Sequence, residues 1–345
     1  MKIAVLNNHV PFVSGGAEYL ADALVEQLQA AGHEAVLYRV PFQWTPPEKV
    51  IDHLVACRLL RLVGVDRVIA LKFPVYCVPH DNKVLWLLHQ FRQAYDLWGT
   101  VWQDLPDNAE GLAIRRAVIH ADNRYLPEAR AIYTNSHVTG DRLRRFNHLD
   151  STVLYPPLLN PEQFHSRAYG DYLFYPSRIT RSKRQLLVVE ALRHTRTPIT
   201  LVIDGGAEQP EALREIEATV AAHGLEDRVK IIPRFISEAE KVEWMAGALG
   251  CTYTPVDEDS YGYVTLEAFE ARKPVISCTD SGGVSIVVKH EETGFLVAPE
   301  PEALAAAMDQ LYVDRAKARM LGEAGFTLVR NLGLTWTRVV ETLTA

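Results

Sequence analysis

Short apolar runs rich in β-branched residues alternate with segments of helical period along most of the chain. A first strand is predicted at "KIAVLNN" (2–8), and a helix that ends at a glycine is predicted at "GAEYLADALVEQLQAAG" (16–32). Further strands are predicted at "EAVLYRV", "DRVIAL", "KVLWLLH" and "AIYTNS". Strands that alternate with helices in this way predict an α/β fold with a parallel, doubly wound sheet.

The pattern stops at "YPPLLNPEQFHSRAYG" (155–170), which is rich in proline and has no period, and then starts again. The second series has strands at "DYLFYPS", "ITLVIDGG", "DRVKIIP", "CTYTPV" and "PVISC", with helices between them. We therefore predict two Rossmann-like domains that face each other across a cleft, an N-terminal domain at 1–160 and a C-terminal domain at 161–345. The last helix is a candidate for packing back on the first domain. Ligands of such sheets bind at the carboxyl ends of the strands.

Composition and charge exclude several classes of protein. Hydrophobic residues make up 48% and charged residues 23% of the 345 residues, which is typical of a folded soluble protein. No apolar run reaches the ~18–20 residues that cross a bilayer, and the N-terminus is interpreted as a strand and not as a signal peptide. The four cysteines have no C-x-x-C spacing, so neither a zinc site nor a disulfide framework is expected. This use of cysteine fits a reducing compartment, and we therefore expect a cytoplasmic location.

The formal net charge of −7 lies entirely in the second half of the chain. Residues 1–160 hold 16 basic and 16 acidic side chains, whereas residues 161–345 hold 20 and 27. An acidic chain without a basic tail is not expected to bind nucleic acid. The basic stretches at 57–68 and 140–146 have two interpretations, solvated helix faces or a peripheral contact of the N-terminal domain with anionic lipid at the inner face of a membrane.

Two features at strand ends could bind a phosphate. Gly15 and Gly16 follow the first strand, where glycines let backbone N–H groups approach an anion, although a plain tight turn has the same sequence. Arg178 and Lys183 follow the first strand of the second series, and two cations there suit a diphosphate or form a solvated basic turn. The glycine loop matches neither G-x-G-x-x-G nor G-x-x-x-x-G-K-[ST], which argues against a nicotinamide oxidoreductase and a P-loop enzyme.

The most acidic candidate segment is "DEDSYGYVTLEAF" (257–269), in which Asp259 and Glu267 are eight positions apart. Its "DED" also spells the D-x-D of metal-dependent sugar transferases, and a solvated loop is a third possibility. In the interpretation that we favour, both carboxylates accept hydrogen bonds from ligand hydroxyls, beside the free N–H groups of a glycine turn and a helix start.

The segment resembles the E-x7-E signature of the retaining nucleotide-sugar glycosyltransferases of family 4, which have the GT-B fold. Other segments resemble that family in the same order along the chain, namely "PFVSGGAE", "KVLWLLH", "NSHVT", "SRITRSK", "IDGGAE" and "SGGVSIVVKHEETGFLV". The catalytic positions that the resemblance implies are Arg178, Lys183, Asp259 and His89. The donor-binding positions that it implies are Gly15, Gly16, Ser260, Tyr261, Gly262, Tyr263, Val264, Glu267, Arg234 and Phe235.

The resemblance also implies what these residues do. Arg178 and Lys183 hold the donor diphosphate, together with backbone N–H groups of Gly16 and of Tyr263 and Val264 at a helix start. Backbone N–H groups of the turn between Ser260 and Gly262 lie beside the donor sugar.

The remaining implied roles concern the sugar, the ribose and the base. Asp259 binds a sugar hydroxyl, Glu267 binds the ribose hydroxyls, and His89 lies near the reacting face of the sugar, although a histidine at a strand end is also often structural. The strand end at Arg234 and Phe235 touches the base. This sequence departs from the family pattern at Asp259, Tyr261, Arg234 and Ile286, which stand where Glu, Phe, Gly and Glu are usual.

The implied reaction transfers a sugar from a UDP- or GDP-linked donor to an acceptor hydroxyl on a saccharide or lipid-linked saccharide, as in polysaccharide biosynthesis. The anomeric configuration is retained, and the leaving phosphate takes the proton of the acceptor on the same face. No metal and no cofactor beyond the nucleotide sugar are expected. Two alternatives are a sugar-nucleotide epimerase or hydrolase on the same fold and a non-catalytic nucleotide-sugar binding protein.

Overall fold

The chain folds into two compact units in a computed structural model that describes residues 1–11 and 15–345. The first unit comprises Met1–Pro157 and Leu334–Ala345, and the second comprises Leu158–Gly333. The change from one unit to the other lies near the predicted boundary at 160 and 161. The last segment of the chain is part of the first unit.

The first unit is built on a six-stranded parallel sheet with the order β2-β1-β3-β4-β5-β6. Its strands are β1 (Lys2–His9), β2 (Glu34–Pro41), β3 (Arg67–Lys72), β4 (Lys83–His89), β5 (Ala131–Thr134) and β6 (Thr152–Val153). Its helices before the linker are α1 (Gly16–Ala30), α2 (Lys49–Leu59), α3 (Ala109–Tyr125) and α4 (His137–Asn147). The central strands β3 and β4 are almost wholly buried, as their continuous apolar sequences predict for a sheet covered on both faces.

The second unit repeats this plan with a six-stranded parallel sheet of order β12-β11-β10-β7-β8-β9. Its strands are β7 (Tyr172–Pro176), β8 (Thr200–Asp204), β9 (Val229–Ile232), β10 (Gly250–Thr252), β11 (Val275–Cys278) and β12 (Gly294–Val297). Its helices are α5 (Gln185–Leu192), α6 (Pro210–Ala222), α7 (Glu238–Gly247), α8 (Tyr263–Glu270), α9 (Pro301–Val313) and α10 (Arg315–Asn331).

The order of strands in the second sheet changes direction between β7 and β10. From β7 the chain adds β8 and β9 on one side, and it then adds β10, β11 and β12 on the other. Loops that leave neighbouring strands in opposite directions open a crevice at the carboxyl ends of those strands. The loops after β7 and β10 contain the Arg178–Lys183 and Asp257–Gly262 segments, so the fold places the strongest sequence candidates at this point.

The final helix, α11 (Trp336–Thr344), packs on the first sheet. The Trp336 ring lies edge-on to Trp86 of β4, with 6.2 Å between the ring centroids. The guanidinium of Arg67, also buried, donates a hydrogen bond to the carbonyl of Leu343 at 2.8 Å. The helix therefore closes a face of a sheet whose first strand begins at Lys2, near the other end of the chain.

In the described part of the chain, no helix combines the length and the apolar composition that a membrane span requires.

We expect Trp336→Ala to lower the free energy of unfolding of the first unit by about 3 kcal/mol, because a large buried aromatic side chain leaves a cavity against Trp86. Urea titration followed by circular dichroism measures the change. Val63→Ala is the control in the same unit, since Val63 is 93% exposed and its truncation should cost less than about 0.5 kcal/mol. Equal and small effects of both variants would contradict this role of the last helix.

Candidate functional site

The candidate site of the second unit lies at the carboxyl ends of its parallel strands. Arg178 follows β7, and Lys183 ends a 3₁₀ turn (Arg181–Lys183) just before α5. Arg234 and Phe235 follow β9, and the acidic segment runs from β10 to the start of α8. The sequence-predicted residues of this unit therefore share one edge of one sheet.

Lys183 is held by one acidic and one phenolic partner. Its ammonium Nζ forms an ion pair with the carboxylate of Glu258 and donates to the hydroxyl of Tyr253 at 2.9 Å. The Tyr253 hydroxyl in turn donates to Oε2 of Glu258 at 3.0 Å. The three side chains form a closed triangle between the loops after β7 and β10. The acid in contact with Lys183 is Glu258, the residue before the Asp259 that the sequence spacing singled out.

The Tyr253 hydroxyl stays protonated in this triangle. Burial raises the pKa of Tyr253 well above its usual value, and the neighbouring carboxylate of Glu258 raises it further. The charges of Arg178 and Asp259 also act on this hydroxyl, Arg178 lowering and Asp259 raising the pKa of Tyr253. Of the four predicted catalytic positions, Lys183 contacts this buried phenol directly, and Arg178 and Asp259 lie within electrostatic range of it.

The backbone of Lys183 is fixed by buried hydrogen bonds. The hydroxyl of Tyr175 donates to the Lys183 carbonyl and accepts from the N–H of Thr254 at 3.0 Å. The next residue, Arg184, has a left-handed backbone (φ 58°) and donates from Nε to the Thr254 carbonyl at 2.7 Å. It also forms an ion pair with Asp280. Arg184 thus joins the loops that follow β7, β10 and β11.

Arg178 lies at the rim of the site and is about one-third exposed. Its Nη1 donates to Oε2 of Glu208 at 2.6 Å, and its carbonyl accepts from the side-chain amide of Gln185 at 2.9 Å. Arg178 and Lys183, the two cations predicted to bind a diphosphate, are therefore each paired with a carboxylate of the same chain. An anion that binds Arg178 and Lys183 must compete with Glu208 and Glu258.

The acidic loop depends on two glycines that follow β11. Gly282 forms a bridge with Glu258, and the N–H of Gly283 donates to the Glu258 carbonyl at 2.8 Å. A Cβ on Gly283 would lie 2.6 Å from the Cα of Ser260, and one on Gly282 would lie 2.5 Å from the Glu258 carbonyl oxygen. Because these are backbone atoms, no side-chain rotation relieves the clash. The "SGG" sequence is what lets the acidic loop pack so closely.

The start of α8 needs a third glycine. Gly262 has φ +70°, and a Cβ there would lie 2.5 Å from Cε1 of Tyr253. The turn before it is fixed by the buried ring of Tyr261 and by the hydroxyl of Thr265, which donates to the carbonyls of Tyr261 and Gly262 at 2.8 Å each. Tyr263 and Val264 are the first two residues of α8, so their N–H groups belong to the helix N-terminus that attracts anions.

Glu267 is a buried residue on α8 whose charge is compensated. Its Oε1 accepts from Nζ of Lys241 at 2.7 Å, and Lys241 also contacts Glu238 at 3.0 Å. Burial alone would lower the pKa of Lys241, but Glu267 and Glu238 outweigh it and raise the pKa above the usual value. Lys241 thus remains charged and holds the Glu267 carboxylate in one orientation.

The loop after β9 presents a cation and an aromatic ring to solvent. Arg234 pairs with Glu240, with Nη2 at 3.0 Å and 3.2 Å from the two carboxylate oxygens. Phe235 is 60% exposed, although its ring lies against the backbone of Gly206 at the end of β8. An exposed aromatic ring beside a glycine backbone is a surface on which a planar group can stack.

The remaining predicted residues lie in the first unit. His89 is the last residue of β4, is half-buried, and donates from Nδ1 to the carbonyl of Gln90 at 2.7 Å. Gly15 has an extended backbone just before α1, and Gly16 is the first residue of that helix. The preceding residues of the glycine motif, 12–14, lie outside the described residues. The roles of His89, Gly15 and Gly16 in a site stay predictions.

No group of three or more His, Cys, Asp or Glu side chains within residues 1–11 and 15–345 is arranged to hold a metal ion. Two acids of "DED" have described surroundings. Glu258 faces Lys183, and Asp257 has a left-handed backbone (φ 45°) with its N–H bonded to Asp280. That a metal is not needed stays a prediction.

Several residues of the site were not predicted from the sequence, namely Tyr253, Glu258, Glu208 and Lys241. Glu258 had the clearest signal, because it lies within the acidic segment itself. Glu208, in the loop before α6, and Lys241, on α7, are ordinary polar residues in the sequence, and only the fold brings them to the site.

Sequence comparison relates the second unit to a known family. Residues 160–327 match the model of the family described as glycosyl transferases group 1. Human alpha-1,3/1,6-mannosyltransferase ALG2 is 28% identical over 229 residues, which is 59% of this chain and 54% of that protein. The D-inositol 3-phosphate glycosyltransferase of Xylanimonas cellulosilytica is 29% identical over 163 residues, which is 47% of this chain and 38% of that protein. The matched regions span about half or less of these curated relatives.

Structural comparison covers the whole chain. Sucrose-phosphate synthase from Thermosynechococcus elongatus superimposes with a TM-score of 0.82 at 20% identity, over 100% of this chain and 98% of that one. Anabaena HepE, in its complex with UDP and glucose, gives a TM-score of 0.75 at 18% identity over 100% and 99% of the two chains.

These similarities confirm the predicted fold class, two Rossmann-like α/β units of the GT-B type. The match to the glycosyl transferases group 1 model covers residues 160–327, which lie within the second unit.

We expect Gly283→Ala to destabilise the second unit by about 1–3 kcal/mol, because the added methyl group displaces the backbone at Ser260. Thermal and urea unfolding measure the loss. Ser285→Ala is the control from the same turn, since it adds no volume and removes only a hydrogen bond of 2.9 Å to the Gly282 carbonyl. If Gly283→Ala were as stable as the wild type, the close packing of these two loops would be wrong.

Proposed function

We propose that the protein is a retaining glycosyltransferase that moves a sugar from a nucleotide-diphosphate sugar to an acceptor hydroxyl. The acceptor is a saccharide or a lipid-linked saccharide, and no metal takes part. The family match over residues 160–327 and the glycosyltransferase relatives support the reaction class. The UDP and glucose in the HepE complex show that a protein of this fold binds a nucleotide and a sugar, which supports a nucleotide-sugar donor here.

The observation that supports this function best is the cationic group between β7 and β10. Lys183 and Arg178 lie at the switch of strand order, beside the N-terminus of α8 that begins after Gly262. Two cations and a helix N-terminus at one point favour a ligand with two adjacent negative groups, such as a diphosphate. Both cations are held by side chains that a diphosphate could replace, Glu258 and Glu208.

This arrangement suits departure of the nucleotide diphosphate. Breaking the bond between the anomeric carbon and the phosphate oxygen builds negative charge on that oxygen, and Lys183, Arg178 and the α8 N–H groups stabilise it. One such preorganised donor contributes about 3 kcal/mol to transition-state stabilisation by analogy with oxyanion donors. The leaving phosphate accepts the proton of the acceptor hydroxyl, which attacks the same face. Asp259 and Glu267 then bind hydroxyl groups of the sugar and the ribose and need not act as nucleophile or acid.

Acceptor-dependent turnover separates this function from its alternatives. Incubation with a nucleotide sugar and simple saccharide acceptors, in buffer with a chelator, should release nucleotide only when an acceptor is present. The anomeric proton coupling of the product, measured by NMR, should match that of the donor sugar. Release without acceptor would indicate a hydrolase or epimerase, and an inverted product would contradict the same-face mechanism.

We expect Arg178→Ala combined with Lys183→Ala to weaken nucleotide-diphosphate binding by about a hundredfold or more, because two charge-assisted contacts are lost. Calorimetry with UDP, GDP, ADP and TDP in metal-free buffer measures it on the wild type and the variant. Arg181→Ala is the matched control, since Arg181 is exposed and pairs with Glu215 outside the triangle.

Micromolar binding of one nucleotide, lost in the double variant and kept in the control, is the expected result. A folded wild-type protein that binds none of the four nucleotides would contradict the proposed donor site. An equal loss in Arg181→Ala would show that binding depends only on the overall charge of the surface.

We expect Glu258→Gln to strengthen binding of the free nucleotide diphosphate by about threefold to tenfold, because Glu258 competes with the diphosphate for Lys183. Asp259→Asn is the matched control one residue away. It should leave free nucleotide binding unchanged and weaken the binding of the intact nucleotide sugar. Weaker nucleotide binding by Glu258→Gln would instead mean that Glu258 positions Lys183 for the ligand.

A further inference from the structure

Asp204 is a buried carboxylate at the carboxyl end of β8 that the site described so far does not use. The residue is 5% exposed, and its carbonyl accepts from the N–H of Ser177 at 2.8 Å. The side-chain atom Oδ1 is buried and has no hydrogen-bond partner within residues 1–11 and 15–345. A carboxylate that is removed from water without donors is unfavourable, so this oxygen calls for an explanation.

The two cations whose charges act on Asp204 are both paired with other acids. Arg234 donates to both carboxylate oxygens of Glu240, and Lys241 donates to Glu267 and Glu238. Burial and the charge of Glu240 raise the pKa of Asp204 and outweigh the opposite effects of Arg234 and Lys241, so that the pKa is about 7. Near neutral pH the carboxyl group therefore changes easily between its protonated and ionised forms. Donors from a ligand would hold it ionised.

Two tightly packed glycines follow Asp204, and an exposed aromatic ring lies against the second of them. Gly205 has φ +146°, and a Cβ there would lie 2.1 Å from the carbonyl oxygen of Ser177, so this position admits no side chain. A Cβ on Gly206 would lie 2.6 Å from the ring of Phe235, which is itself 60% exposed. The ring of Phe235 therefore packs directly on the backbone of Gly206, two residues after Asp204. The exposed part of this ring is a surface on which a planar group can stack, at the strand ends that include Asp204.

We propose that Asp204 binds the nucleobase of the donor and selects guanine, by accepting hydrogen bonds from its N1–H and its exocyclic amino group. This inference rests on the proposed function, because it assigns the base of the same nucleotide sugar. It makes Asp204 a specificity-determining residue and names the donor class as a guanosine-diphosphate sugar.

The chemistry of the four bases supports guanine. An ionised carboxylate only accepts hydrogen bonds, through two oxygens side by side. The Watson–Crick edge of guanine offers two adjacent N–H donors. Uracil offers one N–H between two carbonyl oxygens, which a carboxylate repels, and adenine and cytosine each place a ring acceptor beside their amino group. A carboxylate without its own donors thus favours guanine over the other three.

The pH dependence gives a second signature. Because the ionised form of Asp204 binds guanine, affinity for GDP should rise as the pH increases from 6 to 8 through the value of about 7. A protonated Asp204 that paired with uracil would give the opposite trend. The charged groups that act on the pKa of Asp204 are Glu240, Arg234 and Lys241. The variant Asp204→Asn removes the titrating carboxyl group and leaves these three groups in place.

The test is calorimetry with GDP, IDP and UDP on the wild type and on Asp204→Asn, at pH 6 and pH 8. We expect the wild type to bind GDP at least about tenfold tighter than UDP at pH 8, and IDP, which lacks the amino group, with intermediate affinity. Asp204→Asn should lose about tenfold or more in GDP affinity, change UDP affinity by less than about twofold, and lose the pH trend. Glu211→Gln, an equal change of charge on the exposed start of α6, is the control and should resemble the wild type.

Other results overturn the inference in distinguishable ways. If UDP binds as tightly as GDP, or if Asp204→Asn weakens both nucleotides equally, Asp204 does not select the base, although the donor site stands. An increase in affinity toward pH 6 would also overturn it. If the folded wild type binds no nucleotide diphosphate, the proposed function itself fails, and the inference fails with it.

Discussion

The site depends on the change in strand order between β7 and β10. Parallel strands need crossover connections, and two connections that leave in opposite directions cannot cover the strand ends between them. The chain places Lys183 on one side of this gap and Glu258 on the other, and Tyr253 joins them. Because the triangle takes Lys183 from the loop after β7 and both Tyr253 and Glu258 from the loop after β10, it fixes the distance between the two loops. The position of α8, and with it the buried Glu267, follows from the same loop.

Close backbone packing and electrostatic pairing support each other in this region. Gly282 and Gly283 let the acidic loop lie directly against the turn after β11, and Gly262 lets α8 begin beside the ring of Tyr253. Arg184 then joins the loops by its bonds to Thr254 and Asp280. An unpaired charge in such a packed setting destabilises the folded protein. Lys183 and Lys241 each form an ion pair with a carboxylate, Glu258 and Glu267 respectively. The site thus holds its charges in fixed positions before any ligand binds.

Much of the fold could be predicted from the sequence, whereas only part of the site could. The strand predicted at 83–89 is the observed Lys83–His89, because a continuous apolar run bounded by polar residues is a strong local signal. The acid in contact with Lys183 was harder to predict. Spacing singles out Asp259, but Asp257 adopts a left-handed backbone at which the chain turns, and Glu258 is the acid that reaches Lys183. The turn at Asp257 is set by the packing of the loop against Gly282, which lies 25 positions after Asp257 in the chain.

The same reasoning explains why Asp204 escapes a sequence-based analysis. An acid before two glycines at a strand end is typical of a solvated turn, and nothing nearby in the sequence indicates that it is buried. Burial follows from Ser177 on one side, the loop after β9 on the other, and the absence of side chains at Gly205 and Gly206. The paired charges around it, Arg234 with Glu240 and Lys241 with Glu267, come from three different segments. A buried carboxylate whose neighbours have already formed their own pairs must be protonated or receive donors from outside the chain. This condition turns an ordinary aspartate into a candidate for recognition of the base.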